Sequence, residues 1–422
     1  MINANVTTQT RKRQQTLEST ILLLCLLGFN YLFSFAWQAY LTRVLGADVY
    51  GHVFFFDKLL LCFAYVFDLG YFIVGANAWQ TGGRTRNLTF NAIIKLKLLT
   101  ASVSLLVLVY IEKCYLRPVS PLYSRLVYAF FVALVLEKLV PDFAYRADNR
   151  VLYLLICNLC SRVSLFGLLI IFVKMDKDYA LIPCIYAIAA CLLLGLLFYD
   201  LLKRRKLSYA PTKWVQLGQV FQASFSLAGA KLANCCFNCL TVLALQHMAA
   251  KSKALSYFIL LDLLFVTGRK VLNLLGDSFY LHLHKTADYK WYYKVAAVFA
   301  TLMLFCLAIF YWQAKLCLSI LFGAEFAEAY TYLRIFLIAA LPACLSALLA
   351  YPLLAARGQL KWTNYAFFLG TAFYALKICQ LILTAKLNMS SLLLVYTLSV
   401  YVELGVNCLA LLAYNRQNKK VG

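Results

Sequence analysis

A chain of 422 residues that is 64% hydrophobic and 14% charged, with a mean hydropathy of +0.77, is excluded from the soluble globular class, where about half the residues are apolar and about a quarter charged. Lys and Arg number 40 against 17 Asp and Glu, a formal charge of +23; basic loops on the cytoplasmic side of a membrane account for most of that excess without any ligand. The 15 cysteines, an odd number lying nearly all in apolar runs with Cys157/Cys160 and Cys235/Cys236/Cys239 among them, argue against a complete disulfide framework and read as small packing residues.

The first segment, 1–16, is polar and places Arg11-Lys12-Arg13 just ahead of an apolar run from Leu17 to Leu41. That run exceeds the apolar core of a secretory signal and lacks a small-residue cleavage site, so it is expected to remain as the first span. Apolar stretches of about 20 residues, punctuated by charge, Pro or Gly, then fall near 53–76, 92–111, 123–140, 151–173 and 180–202. A basic connector, 203–216, carries Lys203-Arg204-Arg205-Lys206 and Lys213. Six more spans follow near 217–246, 255–281, 294–321, 331–355, 362–384 and 391–414, with a polar tail at 415–422.

The pattern predicts an all-α integral membrane protein of about 12 transmembrane helices in two pseudo-repeated six-helix bundles, 17–202 and 217–414. With the N-terminus cytoplasmic, Lys and Arg divide 23 to 10 between the two sides, with Lys97 and Lys138, close to span ends, counted among the cytoplasmic 23, and seven fall inside spans, which predicts both termini in the cytoplasm. A faint repeat agrees: VFFFDKLL at 53–60 aligns with FILLDLLF at 258–265, matching Asp57 to Asp262 and, eleven residues on, Asp68 to Asn273.

Charges inside the spans are expensive, about 2.5–3.5 kcal/mol each on insertion scales, and generally face a polar interior. The embedded bases are Lys58, Arg162, Lys231, Arg269, Lys270, Arg334 and Lys377, and the candidate acids are Asp57, Asp68, Asp262, Asp277 and Glu403. On one continuous helix Asp57 and Asp68 share a face. Span eight aligns Asp262, Arg269 and Asn273, span seven Ser224, Lys231 and Asn238, and span twelve Ser399, Glu403 and Asn407. Bases outnumber acids, which predicts a cationic interior suited to phosphate oxygens. The other reading of each charge is a helix–helix ion pair or a side chain snorkelling to an interface. Pro342, Pro352, Gly229, Gly268 and Gly370 are candidate kinks, with generic packing as the alternative.

Two short motifs carry a resemblance. The turn Arg43-Val44-Leu45-Gly46-Ala47-Asp48-Val49-Tyr50-Gly51, followed by Asp68-Leu69-Gly70, resembles the first hairpin of Wzx-type polysaccharide flippases, of the superfamily that includes the MATE exporters and the lipid II flippase. Leu321-Phe322-Gly323-Ala324-Glu325-Phe326 with Tyr330, Leu333 and Arg334 resembles that family's C-terminal half. The resemblance implies a MATE-like, alternating-access flippase in the bacterial inner membrane. Its cargo would be a polyprenyl-diphosphate-linked oligosaccharide, an O-antigen or related repeat unit, and its other partners membrane lipids and polysaccharide assembly proteins.

On that reading Lys58, Lys231 and Arg269 bind the diphosphate, with Arg162, Arg334 and Lys377 as further bases. Asp57, Asp68, Asp262 and Glu403 pair with them or couple to H+ or Na+, and Asn238, Asn273 and Asn407 line the cavity. The chain departs from the family at Phe225-Ser226-Leu227, which has no Pro, and at Thr241 to His247, which has no acid. Enzyme signatures are missing: His52, His247, His282 and His284 sit near span ends, and no P-loop, nucleotide fingerprint or nucleophile elbow occurs. No cofactor, metal or nucleic acid is expected. Two alternatives stand beside the flippase. A drug exporter of the same superfamily would want an acid-rich cavity for cationic drugs; a membrane-embedded glycan polymerase or glycosyltransferase would want a long external loop, and no connection on the non-cytoplasmic side exceeds about a dozen residues.

Overall fold

Backbone amides have no water to bond within a hydrocarbon layer, so long apolar runs fold as helices that satisfy them internally. The computed structural model describes residues 2–117, 124–148, 150–205, 207–208, 210–225, 228–248, 252–286, 288–355 and 357–421. The side chains of 2–27, 31, 229–230, 248, 252, 273–275, 277–282, 284–286, 351, 355, 360 and 417–421 lie outside the described residues. Among the described residues there is helix and no strand. In chain order the helices are α1 (Ile2–Phe67), α2 (Tyr71–Thr81), α3 (Gly83–Ile111), α4 (Leu126–Lys138), α5 (Asp142–Ala147), α6 (Val151–Phe172), α7 (Leu181–Tyr199), α8 (Trp214–Phe225), α9 (Gly229–Met248), α10 (Ser252–Thr286), α11 (Tyr289–Trp312), α12 (Ala314–Phe322), α13 (Tyr330–Leu348), α14 (Leu360–Leu383) and α15 (Met389–Val421).

Eight helical stretches among the described residues are long and apolar enough to cross a membrane. Nine of the twelve predicted spans fall on these eight stretches, and the other three on α4, on α8 with α9, and on α10. Gly28–Phe67 runs two of them together across a bend at Gly46, α4 is a short helix of 13 residues, span seven is α8 followed by α9, and α10 carries Asp262, Arg269 and Lys270 along its length. Pro342 lies inside α13, and Pro352 sits in a π-helical stretch, Leu349–Ala355, that prolongs it. A missing proline N–H is accommodated there by a widened turn.

By contact the chain forms two compact units: Met1–Tyr40 with Leu60–Lys231, and Leu41–Leu59 with Leu232–Gly422. The basic connector 203–216 lies in the first of them. Arg205 donates to Asp200 at 3.0 Å, pairs with Asp148 and lies 4.5 Å from the Tyr145 ring, while Asn87 bonds Ser208 at 2.8 Å. In that unit α7 packs on α4 and α6, and α2 packs on α3, α5 and α8.

The second unit is organised about α15, which packs on α13 and α14, and about α10, which packs on α13. Its interior is aromatic: Phe237 stacks on Tyr374 at 4.2 Å, and Tyr396 meets Phe237, Phe265 and Phe336 edge-on at 5.3, 5.3 and 5.4 Å. Edge-to-face pairs of this kind hold shape where lipid removes most of the hydrophobic drive between helices.

Candidate functional site

The first unit builds its polar centre on a broken helix. The sequence reads 53–76 as one span; the structure stops α1 at Phe67 and restarts at Tyr71, because Gly70 adopts φ 86°, a left-handed conformation that glycine supplies without penalty. Asp68 therefore sits in the break, with its carbonyl outside any helical ladder. The shared face expected for Asp57 and Asp68 does not form, since the helix that would carry it ends between them; Asp57 is exposed.

Three lysines meet at this break. Lys231 Nζ donates to the Asp68 carbonyl, Lys138 Nζ lies 3.4 Å from Asp68 Oδ2, and Lys97 Nζ donates to the Lys138 carbonyl. The charges of all three act on Asp68. Asp142 and Glu137 also bear on Lys138, but Asp142 is paired with Arg146 at 3.2 Å and Glu137 is exposed. Sequence reasoning assigned Lys97 and Lys138 to cytoplasmic connections. Lys97 instead lies within α3 and is 6% exposed, and Lys138 closes α4 with its side chain 22% exposed. Burying ammonium groups with one carboxylate among them is costly, and the cluster holds more base than acid.

The second unit treats charge differently. Lys58 and Asp262 form a 2.5 Å ion pair with side chains 9% and 7% exposed. Arg269 Nη2 reaches both oxygens of Glu403, at 2.5 and 2.6 Å. Asn407 Nδ2 donates to Ser346 Oγ at 2.8 Å, and Ser346 donates to Glu403 at 3.4 Å. Lys58 and Arg269 thus each have their own acid.

The two motifs, nearly 280 residues apart, come together in this unit. Gly46, at φ 68°, ends the first helical stretch of α1, and a Cβ there would sit 3.3 Å from Glu325 Oε2. Ala47, first residue of the next stretch, offers its N–H to that same carboxylate at 2.8 Å, the arrangement by which an acid satisfies an open helix N-terminus. Arg43 bonds the Ile320 carbonyl, Ser256 Oγ bonds the Ala47 carbonyl, and Tyr50 packs edge-on to Phe326 at 5.7 Å. The predicted polar turn of 42–52 is thus a single-residue bend held by a distant loop.

The remaining sequence candidates are dispersed. Arg162 donates to Asn30 at 3.2 Å and lies over Trp37; Arg334 donates to the Tyr311 carbonyl at 3.2 Å between the rings of Tyr311 and Tyr330. Lys377 is exposed and donates to Gln380 at 3.0 Å. Asn238 is buried and bonds back to Asn234. The side chains of Asn273, Asp277, His282 and His284 lie outside the described residues. Among the described residues no three His, Cys, Asp or Glu are grouped to hold a metal.

Helices without strands among the described residues, eight stretches of them apolar enough to cross a membrane, define a multi-pass membrane protein. No family model matches it, and no curated protein matches it in sequence. In three dimensions it is similar to an inward-facing multidrug resistance MATE family transporter of the MOP superfamily (12% identical, TM-score 0.65, 96% of this chain and 100% of that one). It is similar also to the lipid II flippase MurJ in an inward closed conformation (10%, 0.64, 93% and 87%) and to a eukaryotic MATE transporter (14%, 0.57, 96% of each). The protein has the MATE-like fold.

Proposed function

We propose that this chain is an alternating-access flippase that reorients a polyprenyl-diphosphate-linked oligosaccharide across the bacterial inner membrane, termini in the cytoplasm, in concert with other polysaccharide assembly proteins. The observation that carries the reading is the lysine surplus about Asp68. Three lysines gather about Asp68, of which Lys138 reaches its carboxylate while Lys231 and Lys97 rest on the Asp68 and Lys138 carbonyls, and diphosphate oxygens are the acceptors such a group binds best at low dielectric. Likeness in fold to a lipid II flippase supports it.

Lys58 and Arg269, expected from sequence to meet the diphosphate, are here engaged by Asp262 and Glu403. Of the first three candidates, Lys231 keeps that role and gains Lys97 and Lys138 as neighbours. Glu403 is neutralised by a tethered cation, so any H+ or Na+ coupling through it requires Arg269 to withdraw. The similarity to MATE transporters favours a second reading, export of a small solute. Reconstituted vesicles separate the two. A fluorescent polyprenyl-diphosphate glycan should become accessible in the opposite leaflet faster than in protein-free vesicles, and a cationic dye should not be carried. Dye transport without glycan movement would establish the exporter instead.

A further inference from the structure

The lysine cluster is not an open cation patch; it already holds an anion belonging to the chain. Asp68 presents two kinds of oxygen to it. The carbonyl, released from the helical ladder by the break at Gly70, is taken by Lys231. The carboxylate is held by Lys138, and loosely: 3.4 Å is at the long edge of a hydrogen bond, and the Asp68 side chain is 41% exposed. Lys97 contributes charge while its own ammonium rests on the Lys138 carbonyl. By contrast, Lys58 and Asp262 stand 2.5 Å apart and shut away from solvent.

We propose that Lys97, Lys138 and Lys231 form an oxyanion-binding site whose resting occupant is the Asp68 carboxylate, and that a phosphate or diphosphate group enters by taking Lys138 from it. The surplus of base over acid supplies the attraction, the exposed carboxylate supplies a weak competitor, and no backbone has to be rebuilt for the exchange. A resident carboxylate also limits occupation by small monovalent anions, because only a multiply charged group gains enough by displacing it. The inference rests on the anionic-cargo reading for its biological meaning but not for its test.

The test is equilibrium binding of inorganic pyrophosphate and of farnesyl diphosphate to the full chain in detergent, with no transport measured. Asp68→Asn removes the competitor and should tighten both ligands by roughly fivefold, the weight of a half-exposed ion pair. Lys138→Gln should weaken them by roughly tenfold or more, the weight of a charge-assisted hydrogen bond. Lys315→Gln, exposed on α12, should leave them unchanged. Acylation of lysines followed by mass spectrometry reads the wild-type chain directly: pyrophosphate should protect Lys138 and Lys231 and not Lys315, while Lys97, 6% exposed, is closed to the reagent throughout. Unchanged or weaker binding in Asp68→Asn, or protection that spares both Lys138 and Lys231, would overturn the proposal. Binding of pyrophosphate but not farnesyl diphosphate would remove the lipid-linked head group as the ligand. Binding as predicted together with failed glycan flipping would leave the site standing and sink the cargo assignment.

Discussion

Each unit holds one arrangement of buried charge that contrasts with the other's. In the C-terminal unit two bases are each closed on one acid at 2.5–2.6 Å: Lys58 on Asp262, Arg269 on Glu403. In the N-terminal unit three lysines share Asp68, and the carboxylate contact is 3.4 Å and half exposed. A closed one-to-one pair is a structural joint, since it has no valence left for a ligand and losing one partner strands the other. A crowded, loosely held set is a binding site, since its surplus is satisfied only by something that arrives. On the function proposed above, the difference would separate charges that hold this protein together from charges that meet its cargo.

Breaking the joints should produce the largest effects on stability. Asp262→Ala leaves Lys58 buried without a counter-ion and should cost about 3–5 kcal/mol, read as a lowered midpoint in thermal unfolding in detergent. The double variant Lys58→Met with Asp262→Leu should recover most of that loss, because a matched apolar pair removes both desolvation penalties. Glu403→Gln should cost about 1–3 kcal/mol, less because Arg269 is 27% exposed and can draw on solvent. Gly51→Ala should cost a similar amount, about 1–3 kcal/mol, since its Cβ would fall 2.2 Å from Ser256 Oγ and 2.8 Å from the Ser256 backbone nitrogen. At the small end, Lys138→Gln should shift stability by about 1 kcal/mol or less while cutting transport roughly tenfold or more. A large loss of stability there would make the lysine cluster a joint like the others and erase the contrast.

Much of this was legible in the sequence, and the failures share a cause. Composition and apolar runs fixed the helical membrane architecture, and the two short motifs marked Gly46 and Glu325 as notable. Nothing in either motif said that the Glu325 carboxylate would meet the Ala47 amide, because a contact nearly 280 residues apart leaves no local pattern. The Asp57–Asp68 face failed through an assumption of helical continuity. Asp68-Leu69-Gly70 ends in a glycine, a punctuation signal, and one left-handed residue was enough to undo the angular argument. Lys97 and Lys138 were lost because a lysine a few residues from a span boundary looks like a loop residue, and such boundaries are uncertain by about that much. The clue that would have recovered them was the unmatched acid: Asp68, placed in a break within an apolar stretch, calls for a nearby base.

The central claim is that transport runs through the shared lysines of the N-terminal unit. It is tested most directly by the initial rate at which a fluorescent polyprenyl-diphosphate glycan changes leaflet in vesicles holding equal amounts of wild-type or Lys138→Gln protein. A rate reduced roughly tenfold or more with an unchanged unfolding midpoint is the result predicted here. Wild-type rates from the variant would contradict it.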